Sequence, residues 1–369
     1  MGNDEREMMT MKRRTFLRHA ALAAASLPLR GVAAKPPQEI RALLLHLGHN
    51  MWCDCLPNDM DNRQLIADNG RGLPDTVLRN RDDLWRKVTD HAARSGVNMI
   101  VIDLGKGVVY PSHPELAIRG SWSADQLKAE VGRLKALGME VIPKMNFSTS
   151  HNGWLKHYRR MISTRGYYQV CEDLIRDAAE IFGQPRLFHV GCDEELASHQ
   201  QAFKCFQYIV VRNRELWEHD FNHLVRTCEK NGMRCWAWSD YTWNHPDFLQ
   251  RCPKSVLMSN WFYDDNNGGF ELATNHTWAR KQLQNFYDLE KYGFDQVPCG
   301  TNWVGGGRRK LKIGADDVIG KLIRLCRRDV PANHLKGFMM APWKSLDGEE
   351  NFKTVMRAVD LFAEALKKK

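Results

Sequence analysis

The stretch VNMIVIDL at residues 97–104 is a short apolar run rich in β-branched residues, and a similar run, MEVIPKMN, occupies residues 139–146. Between them, ADQLKAEVGRLKAL at residues 124–137 repeats its apolar residues at helical spacing. Two such runs on either side of a helical period predict a β-strand, a crossover helix and a parallel β-strand. The rest of the chain repeats this unit.

Eight units of this kind follow one another along the chain. The predicted strands cover residues 40–47, 97–104, 139–146, 187–193, 234–239, 256–261, 294–302 and 337–343. The predicted helices cover residues 82–95, 124–137, 167–182, 214–230, 246–251, 277–292, 315–328 and 351–366. Strict alternation requires parallel strands, and eight βα units close into a barrel. The sequence therefore predicts a single-domain α/β protein, a (β/α)8 TIM barrel over residues 35–369.

The amino terminus has the pattern of an export signal. Arg13 and Arg14 precede a modest apolar stretch at residues 20–29, and residues 32–34 (VAA) provide small side chains for a signal peptidase. This pattern resembles a twin-arginine signal peptide, which we place at residues 1–34. No apolar run reaches the roughly 18 residues of a membrane span. We expect a periplasmic or secreted protein, exported through the twin-arginine route and without stable insertion into the membrane.

Composition narrows the possible partners. The chain has 369 residues, of which 43% are hydrophobic and 26% charged, as is usual for a globular protein and unusual for a disordered one. The net charge of +9 falls to +6 without residues 1–34, and it is spread over the remaining chain with no basic block except residues 308–310 and the terminal lysines. This distribution argues against a nucleic-acid partner. The ten cysteines show no framework spacing, and we expect most to be free and buried.

The functional groups of this fold lie where the strands end. Seven of the twelve tryptophans fall at or just beyond predicted strand ends, together with several acidic residues: Trp52, Trp154, Trp238, Trp243, Trp261, Trp303 and Trp343. Aromatic rings around an acidic centre are how proteins stack against the apolar faces of sugars. The pattern predicts a carbohydrate substrate, in the form of an oligosaccharide or glycoconjugate.

The fourth predicted strand reads FHVGCDE at residues 188–194. This is similar to the H-x-G-x-D-E motif of family 20 glycoside hydrolases, the β-N-acetylhexosaminidases, where it also closes strand four of a (β/α)8 barrel. The resemblance implies that the acetamido oxygen of the sugar attacks its own anomeric carbon. It makes Asp193 the carboxylate that orients this group and Glu194 the general acid. Mutual repulsion and partial burial should raise the pKa of one of the two adjacent carboxyls.

Other site residues follow from strand ends and from looser parts of the resemblance. We expect His189 to support the site by holding a carboxylate through a hydrogen bond. The predicted substrate-binding residues are His151, Trp238, Asp240, Trp261, Asn302, Trp303 and Trp343. The chain also departs from the family: Lys144 and Asn146 replace acidic residues of strand three, strand one lacks a sugar-gripping arginine, and strand seven lacks a tyrosine that holds the acetamido group.

Three alternatives stay open on the sequence alone. The first is a non-catalytic carbohydrate-binding barrel, which the missing arginine and tyrosine favour. The second is an inverting glycosidase in which Asp240 or Asp264 is the base. The third is a metal-dependent barrel hydrolase with His46, His49, His151 and Asp240 as candidate ligands. The main hypothesis requires neither a metal nor a cofactor.

The export signal can be tested by conservative substitution. Replacing Arg13 and Arg14 by lysine keeps the charge but removes the paired guanidinium groups that define the signal. We expect the precursor to accumulate in the cytoplasm, as measured by fractionation and immunoblotting. Normal periplasmic levels of the double variant would contradict the twin-arginine hypothesis.

Overall fold

Eight parallel strands form the centre of the molecule. The computed structural model describes residues 39–49, 51–52, 75–203, 208–263, 277–302 and 318–368. The strands are β1 (Ile40–His46), β2 (Met99–Asp103), β3 (Glu140–Lys144), β4 (Leu187–His189), β5 (Arg234–Trp238), β6 (Leu257–Ser259), β7 (Cys299–Gly300) and β8 (Gly337–Met340). Neighbouring strands pair in the order β6-β5-β4-β3-β2-β1-β8-β7. The first and last strands of this order, β6 and β7, are connected by parallel bridges from Met258 to Gln296 and from Trp261 to Cys299. The predicted (β/α)8 barrel is confirmed.

Helices surround the barrel. They are α1 (Asp82–Arg94), α2 (Ala124–Ala136), α3 (Arg165–Ile181), α4 (Ala197–Phe203), α5 (Arg214–Lys230), α6 (Thr277–Lys291), α7 (Val318–Asp329) and α8 (Glu349–Lys367). Short 3-10 helices cover Gly105–Gly107, Pro114–Leu116, Gly153–Met161, Asp240–Trp243 and Pro246–Gln250. The predicted short helix after β5 is therefore a 3-10 turn. Ser123, Thr164 and Asn213 cap α2, α3 and α5 by accepting backbone N–H groups of the first turn.

Two strands are shorter than predicted. The seventh was expected over residues 294–302 but covers only Cys299–Gly300, because Pro298 has no N–H group to donate to a neighbouring strand. The fourth was expected to reach Asp193 but ends at His189. Beyond it Gly191 and Cys192 have φ of 73° and 68°, so the chain turns out of the sheet. These residues carry the H-x-G-x-D-E motif away from the barrel wall.

The barrel encloses an apolar core. Side chains alternate along each strand, so that Ala42 and Leu44 of β1 face the interior with Val101, Ile142 and Met339. The intervening residues, such as Leu43, pack outward against the helices in a larger apolar cluster. Because the same alternation continues toward the strand ends, polar side chains at those ends are also directed inward. The sequence thereby positions a polar layer directly above the apolar core.

A buried ion pair lies in this polar layer. Lys144 Nζ of β3 donates to Asp103 Oδ2 of β2 at 2.5 Å, and His46 Nδ1 of β1 is 3.4 Å from the same oxygen. All three side chains are at least 99% buried. Burial by itself would raise the pKa of Asp103, but the Lys144 ammonium and the His46 ring outweigh it and lower that pKa to about 2. Asp103 is therefore a carboxylate held inside the barrel by its cationic neighbour.

The sequence also led to predictions about the cysteines and about membrane-spanning segments. The seven cysteines among the described residues are all free and buried, as expected. No helix in the described part of the chain has the length and apolar character needed to cross a bilayer. Residues 1–34, Cys53 and Cys55 lie outside the described residues, so the proposed signal peptide stays a prediction.

Removing one partner of the buried ion pair should destabilise the barrel. Lys144→Met leaves Asp103 charged and buried without its cation, which typically costs about 3–5 kcal/mol. We expect this loss in the free energy of unfolding measured by urea denaturation. The double variant with Asp103→Leu should recover most of it, because no unpaired charge remains. Arg81→Met, which removes an exposed ion pair with Asp83, is the control and should change the midpoint little. Similar midpoints for Lys144→Met and the control would contradict the argument.

Candidate active site

The candidate site begins where β4 ends. Gly191 has a φ of 73°, and a Cβ atom there would lie 2.1 Å from Asn146 Oδ1. Only glycine fits here, because the backbone is in the left-handed region and the end of β3 lies too close for a side chain. Glu194 also has a positive φ of 54°, which is uncommon for a residue with a side chain. This strained turn directs Asp193 and Glu194 toward the same end of the barrel.

Asp193 is held by two neighbours from the loop after β3. Asn146 Nδ2 donates to Asp193 Oδ1 at 2.7 Å, and His151 Nε2 lies 3.3 Å from Asp193 Oδ2. Asp193 is 9% exposed. Its carboxylate is therefore fixed in orientation while part of it stays accessible. This is the geometry needed to hold a polar group of a ligand.

Glu194 is surrounded by two imidazoles and a second carboxyl group. His151 Nε2 lies 2.9 Å and His199 Nδ1 3.0 Å from Glu194 Oε2. The backbone N–H of Glu194 donates to Asp240 Oδ2 at 2.8 Å. Burial raises the pKa of Glu194, but hydrogen bonds from His151 and His199 outweigh it and hold that pKa well below its usual range. In the ligand-free site Glu194 is therefore an anion.

The proton of this cluster resides on other groups. Burial lowers the pKa of His151, yet the charges of Asp193 and Glu194 raise it to about 10. Burial and the charge of Asp193 raise the pKa of Asp240 well above its usual range. The expectation that repulsion raises the pKa of one of the adjacent carboxyls, as an acid catalyst would need, is wrong for Glu194, because His151 and His199 donate to it. The raised carboxyl is Asp240, which is buried and whose Oδ1 has no hydrogen-bond partner among the described residues.

Glu195 has a structural role in this geometry. Its carboxylate accepts hydrogen bonds from the Thr149 backbone N–H and hydroxyl at 3.2 and 2.5 Å. Arg212 then bridges Glu195 and Asp220 at 2.8 and 2.7 Å. These groups are almost fully buried, and the acidic run at the end of β4 is therefore divided. Asp193 and Glu194 face the site, and Glu195 anchors the loop after β3 to α5.

Aromatic rings surround the barrel end beside these carboxylates. Trp238 is 3% exposed and packs against His189 and Trp343, with ring centroids 4.7 and 5.9 Å away. Trp261 and Trp343 are partly exposed, and Tyr263 stacks on Trp261 at 5.0 Å and also contacts Trp343. Trp238 therefore lies beneath the site, whereas Trp261 and Trp343 present accessible ring surface. Tyr263 lies two residues beyond the predicted end of the sixth strand and was not among the predicted substrate-binding residues.

Three further predicted site residues are His189, Asn302 and Trp303. His189 does not hold a carboxylate: its Nδ1 accepts the backbone N–H of Gly191 at 3.1 Å, and burial lowers its pKa well below the usual value. It supports the turn of the motif as a neutral ring. Asn302 lies at the end of β7, where its Nδ2 donates to the Thr354 carbonyl at 2.9 Å. Trp303 lies outside the described residues.

Metal-type ligands meet at a different point from the one predicted. His46 and His49 pack edge to face at 5.2 Å, and Trp52 continues this wall to His151. In the described ranges, the ligand-type atoms that come within 4.8 Å of one another belong to His151, Asp193 and Glu194. The raised pKa of His151 indicates a protonated ring that donates to both carboxylates, and a protonated imidazole nitrogen does not ligate a metal. In this protonation state the imidazolium and the two carboxylates can take part in acid–base chemistry.

A cleft opens beside Glu194, and neither Asp193 nor His151 is among the residues that line it. Its walls come from the loop after β4, the start of α4, the 3-10 turns after β5 and the end of β6. The lining includes Glu194, His199, Asp240, Tyr241, Trp243 and Trp261. Glu194 thus lies on the boundary between this cleft and the tryptophan-lined barrel end. Sequence reasoning did not identify His199, because only the course of the chain after β4 brings it to Glu194.

Solved structures share this architecture. A β-N-acetylhexosaminidase from Bacteroides fragilis aligns with a TM-score of 0.55 and 11% identity, over 88% of this chain and 66% of that one. The GH20 β-N-acetylhexosaminidase of Streptomyces coelicolor aligns with a TM-score of 0.56 and 11% identity, over 88% and 64% of the two chains. The N-acetyl-β-hexosaminidase of Streptomyces plicatus, in complex with thio-NAglucal, gives 0.56 and 13%, over 88% and 64%. The barrel has the fold of the family 20 hexosaminidases.

The extent of this similarity is limited. This chain spans slightly less than two thirds of the length of each of those three structures. No protein-family model matches the sequence, and no curated protein matches it. The similarity therefore concerns the fold, and the chemistry must be argued from the side chains of this chain.

The turn after β4 provides a test of the site geometry. Gly191→Ala introduces a Cβ that collides with Asn146 and a residue that disfavours positive φ, which together should cost about 2–4 kcal/mol of unfolding free energy. Urea denaturation measures this loss. Gly132→Ala is the matched control, because a Cβ at that position on α2 meets no atom within 4 Å. We expect the control to be neutral or slightly stabilising. Equal stability of the two variants would show that the turn tolerates a side chain.

Proposed function

We propose that this protein is a glycoside hydrolase that releases terminal N-acetylhexosamine, or a closely related sugar, from an oligosaccharide or glycoconjugate. The observation that carries the proposal is the convergence of Asp193 and Glu194 on His151 beside accessible tryptophan rings. Two adjacent carboxylates in different environments are suited to different roles. The shared fold of the hexosaminidases supports the same proposal.

In the proposed reaction the sugar stacks on Trp261 and Trp343 at the barrel end. Asp193, held by Asn146, accepts the acetamido N–H and orients the acetamido oxygen toward the anomeric carbon. As that oxygen forms a bond to the carbon, the glycosidic bond breaks and Glu194 gives a proton to the departing oxygen. A water molecule then forms a bond to the anomeric carbon while the bond from the acetamido oxygen to that carbon breaks, and the water gives a proton to Glu194. Asp193 stabilises the positive charge that develops on the cyclised acetamido group.

Cellular location forms a separate part of the proposal. The twin-arginine pattern at residues 11–34 supports export, and we propose that the protein acts in the periplasm or outside the cell. An exported hydrolase of this kind would meet its carbohydrate substrate there. The proposed reaction requires no metal and no cofactor.

Substitution of the two carboxylates tests the mechanism. Glu194→Gln should lower turnover by about a hundred- to ten-thousand-fold, and least for dinitrophenyl glycosides, whose leaving group needs no proton. Asp193→Asn should reduce hydrolysis of N-acetyl sugars far more than that of their hydroxyl counterparts, and should weaken binding of N-acetylglucosamine thiazoline in calorimetry. Asp125→Asn, on the exposed first turn of α2, is the control and should leave both properties unchanged.

The same experiment separates the alternatives. Equal losses on both sugar types for Asp193→Asn would remove the acetamido mechanism and make Asp240 the first candidate for a conventional base. A wild-type protein that binds the thiazoline but hydrolyses no glycoside would be a binding module. Activity that disappears on exhaustive chelation and returns with zinc would favour a metal-dependent hydrolase.

A further inference from the structure

Two imidazoles meet at one oxygen of Glu194, and the mechanism above uses neither. His151 Nε2 and His199 Nδ1 lie 2.9 and 3.0 Å from Glu194 Oε2. His151 also contacts Asp193, whereas the ring of His199 has its described hydrogen bond with Glu194 alone. The two histidines therefore bind the same atom but belong to different parts of the site.

Access to solvent distinguishes the two rings. The side chain of His151 is 5% exposed and lies between two carboxylates, whereas the side chain of His199 is 34% exposed. His199 is carried by the short helix α4 and lines the cleft with Trp243 and Trp261. Of the two rings, His199 is the one that can exchange protons with water in the cleft.

Glu194 needs a proton before it can act as an acid. In the ligand-free geometry both imidazoles donate to its carboxylate, which keeps its pKa low. His151 retains its own proton, because Asp193 and Glu194 together raise its pKa to about 10. The remaining hydrogen-bonded donor is His199. His199 also lines the cleft beside Glu194.

Building on the proposed function, we propose that His199 is a positioning residue that delivers the catalytic proton to Glu194. The Nδ1–H bond of the His199 imidazolium breaks and an O–H bond forms at Glu194 Oε2, leaving a neutral imidazole and a carboxylic acid. Glu194 then passes this proton to the glycosidic oxygen. When water later attacks the anomeric carbon, Glu194 takes its proton and passes it back to Nδ1 of His199, so the pair ends the cycle in the state in which it began. The ring gives up its place at Oε2 as the leaving group enters.

The other titratable groups near His199 are paired with a neighbour or have shifted pKa values. Glu195 is neutralised by Arg212, 2.8 Å away. Burial and the charge of Asp193 raise the pKa of Asp240, and burial raises that of Tyr241 to about 12. Burial and the Arg214 charge lower the pKa of His245. Asp193 is fixed by Asn146 and His151. The pair of Glu194 and His199 is thus the unit whose proton should govern the alkaline limb of activity.

The sign of the effect follows from this pair. With His199 present, a ring nitrogen that can carry a transferable proton lies 3.0 Å from Glu194 Oε2. In His199→Gln the amide can still donate to Glu194 but cannot supply a proton. The alkaline limb of kcat/KM should therefore move to lower pH by about one unit or more, which is about tenfold lower activity on that limb. Activity on the acidic side should stay near that of the wild type.

The test measures kcat/KM from pH 4 to 9 on two aryl N-acetyl-β-glucosaminides. The methoxyphenyl glycoside needs a proton on its leaving group and should show the shifted limb, whereas the dinitrophenyl glycoside should not. His157→Gln, which removes an exposed imidazole of the 3-10 segment after β3, is the matched control. Added imidazole should restore alkaline activity to His199→Ala, because the deleted ring is partly open to solvent.

Each outcome decides the proposal. A uniform loss at all pH values, or profiles that overlay those of the wild type, would overturn the role of His199 while leaving the hydrolase function intact. Failure of imidazole to restore His199→Ala, with thermal stability equal to that of the wild type, would also count against it. A wild-type protein that cleaves neither glycoside would remove the proposed function and this inference together.

Discussion

The amide of Asn146 is the contact on which the candidate site depends. Its Oδ1 accepts the backbone N–H groups of Ser148 and Cys192 at 3.1 and 3.3 Å, and its Nδ2 donates to Asp193. One side chain thus joins the loop after β3 to the loop after β4. Gly191 packs against the same amide so closely that a Cβ has no space. The direction of the Asp193–Glu194 pair follows from this junction, because both residues continue the turn that it fixes.

An amide at position 146 also suits the charges of the site. The resemblance of the sequence to family 20 places an acidic residue there, which would add a negative charge beside Asp193. Asn146 instead donates a hydrogen bond to Asp193, so the carboxylate gains a partner and loses a source of repulsion. His151 is then the main cation facing Asp193 and Glu194. Its proton balances one of the two charges, and Asp240, with its raised pKa, adds little further charge.

The barrel could be predicted from the sequence, because the apolar patterns of strands and helices are set by the local order of residues. The sequence placed β1 within one residue and identified Asp193 and Glu194 from one motif. It did not predict that β7 begins only after Pro298, because the apolar pattern does not show that proline lacks the N–H group a strand needs. It did not identify His199, which reaches the site through the irregular chain after β4. The pKa of Glu194 was misjudged for the same reason, because His199 contributes to the low value.

The buried layer below the site shows how one departure from the family pattern is accommodated. The resemblance places an acidic residue where Lys144 stands on β3. Asp103 faces that position from β2 at 2.5 Å, and both side chains are fully buried. Two carboxylates at this separation could not both ionise without a large electrostatic cost. Lysine at position 144 instead pairs with Asp103 and leaves the layer nearly neutral. The change on β3 and the aspartate on β2 are therefore physically linked, and together they support the strand ends that carry Asn146 and His46.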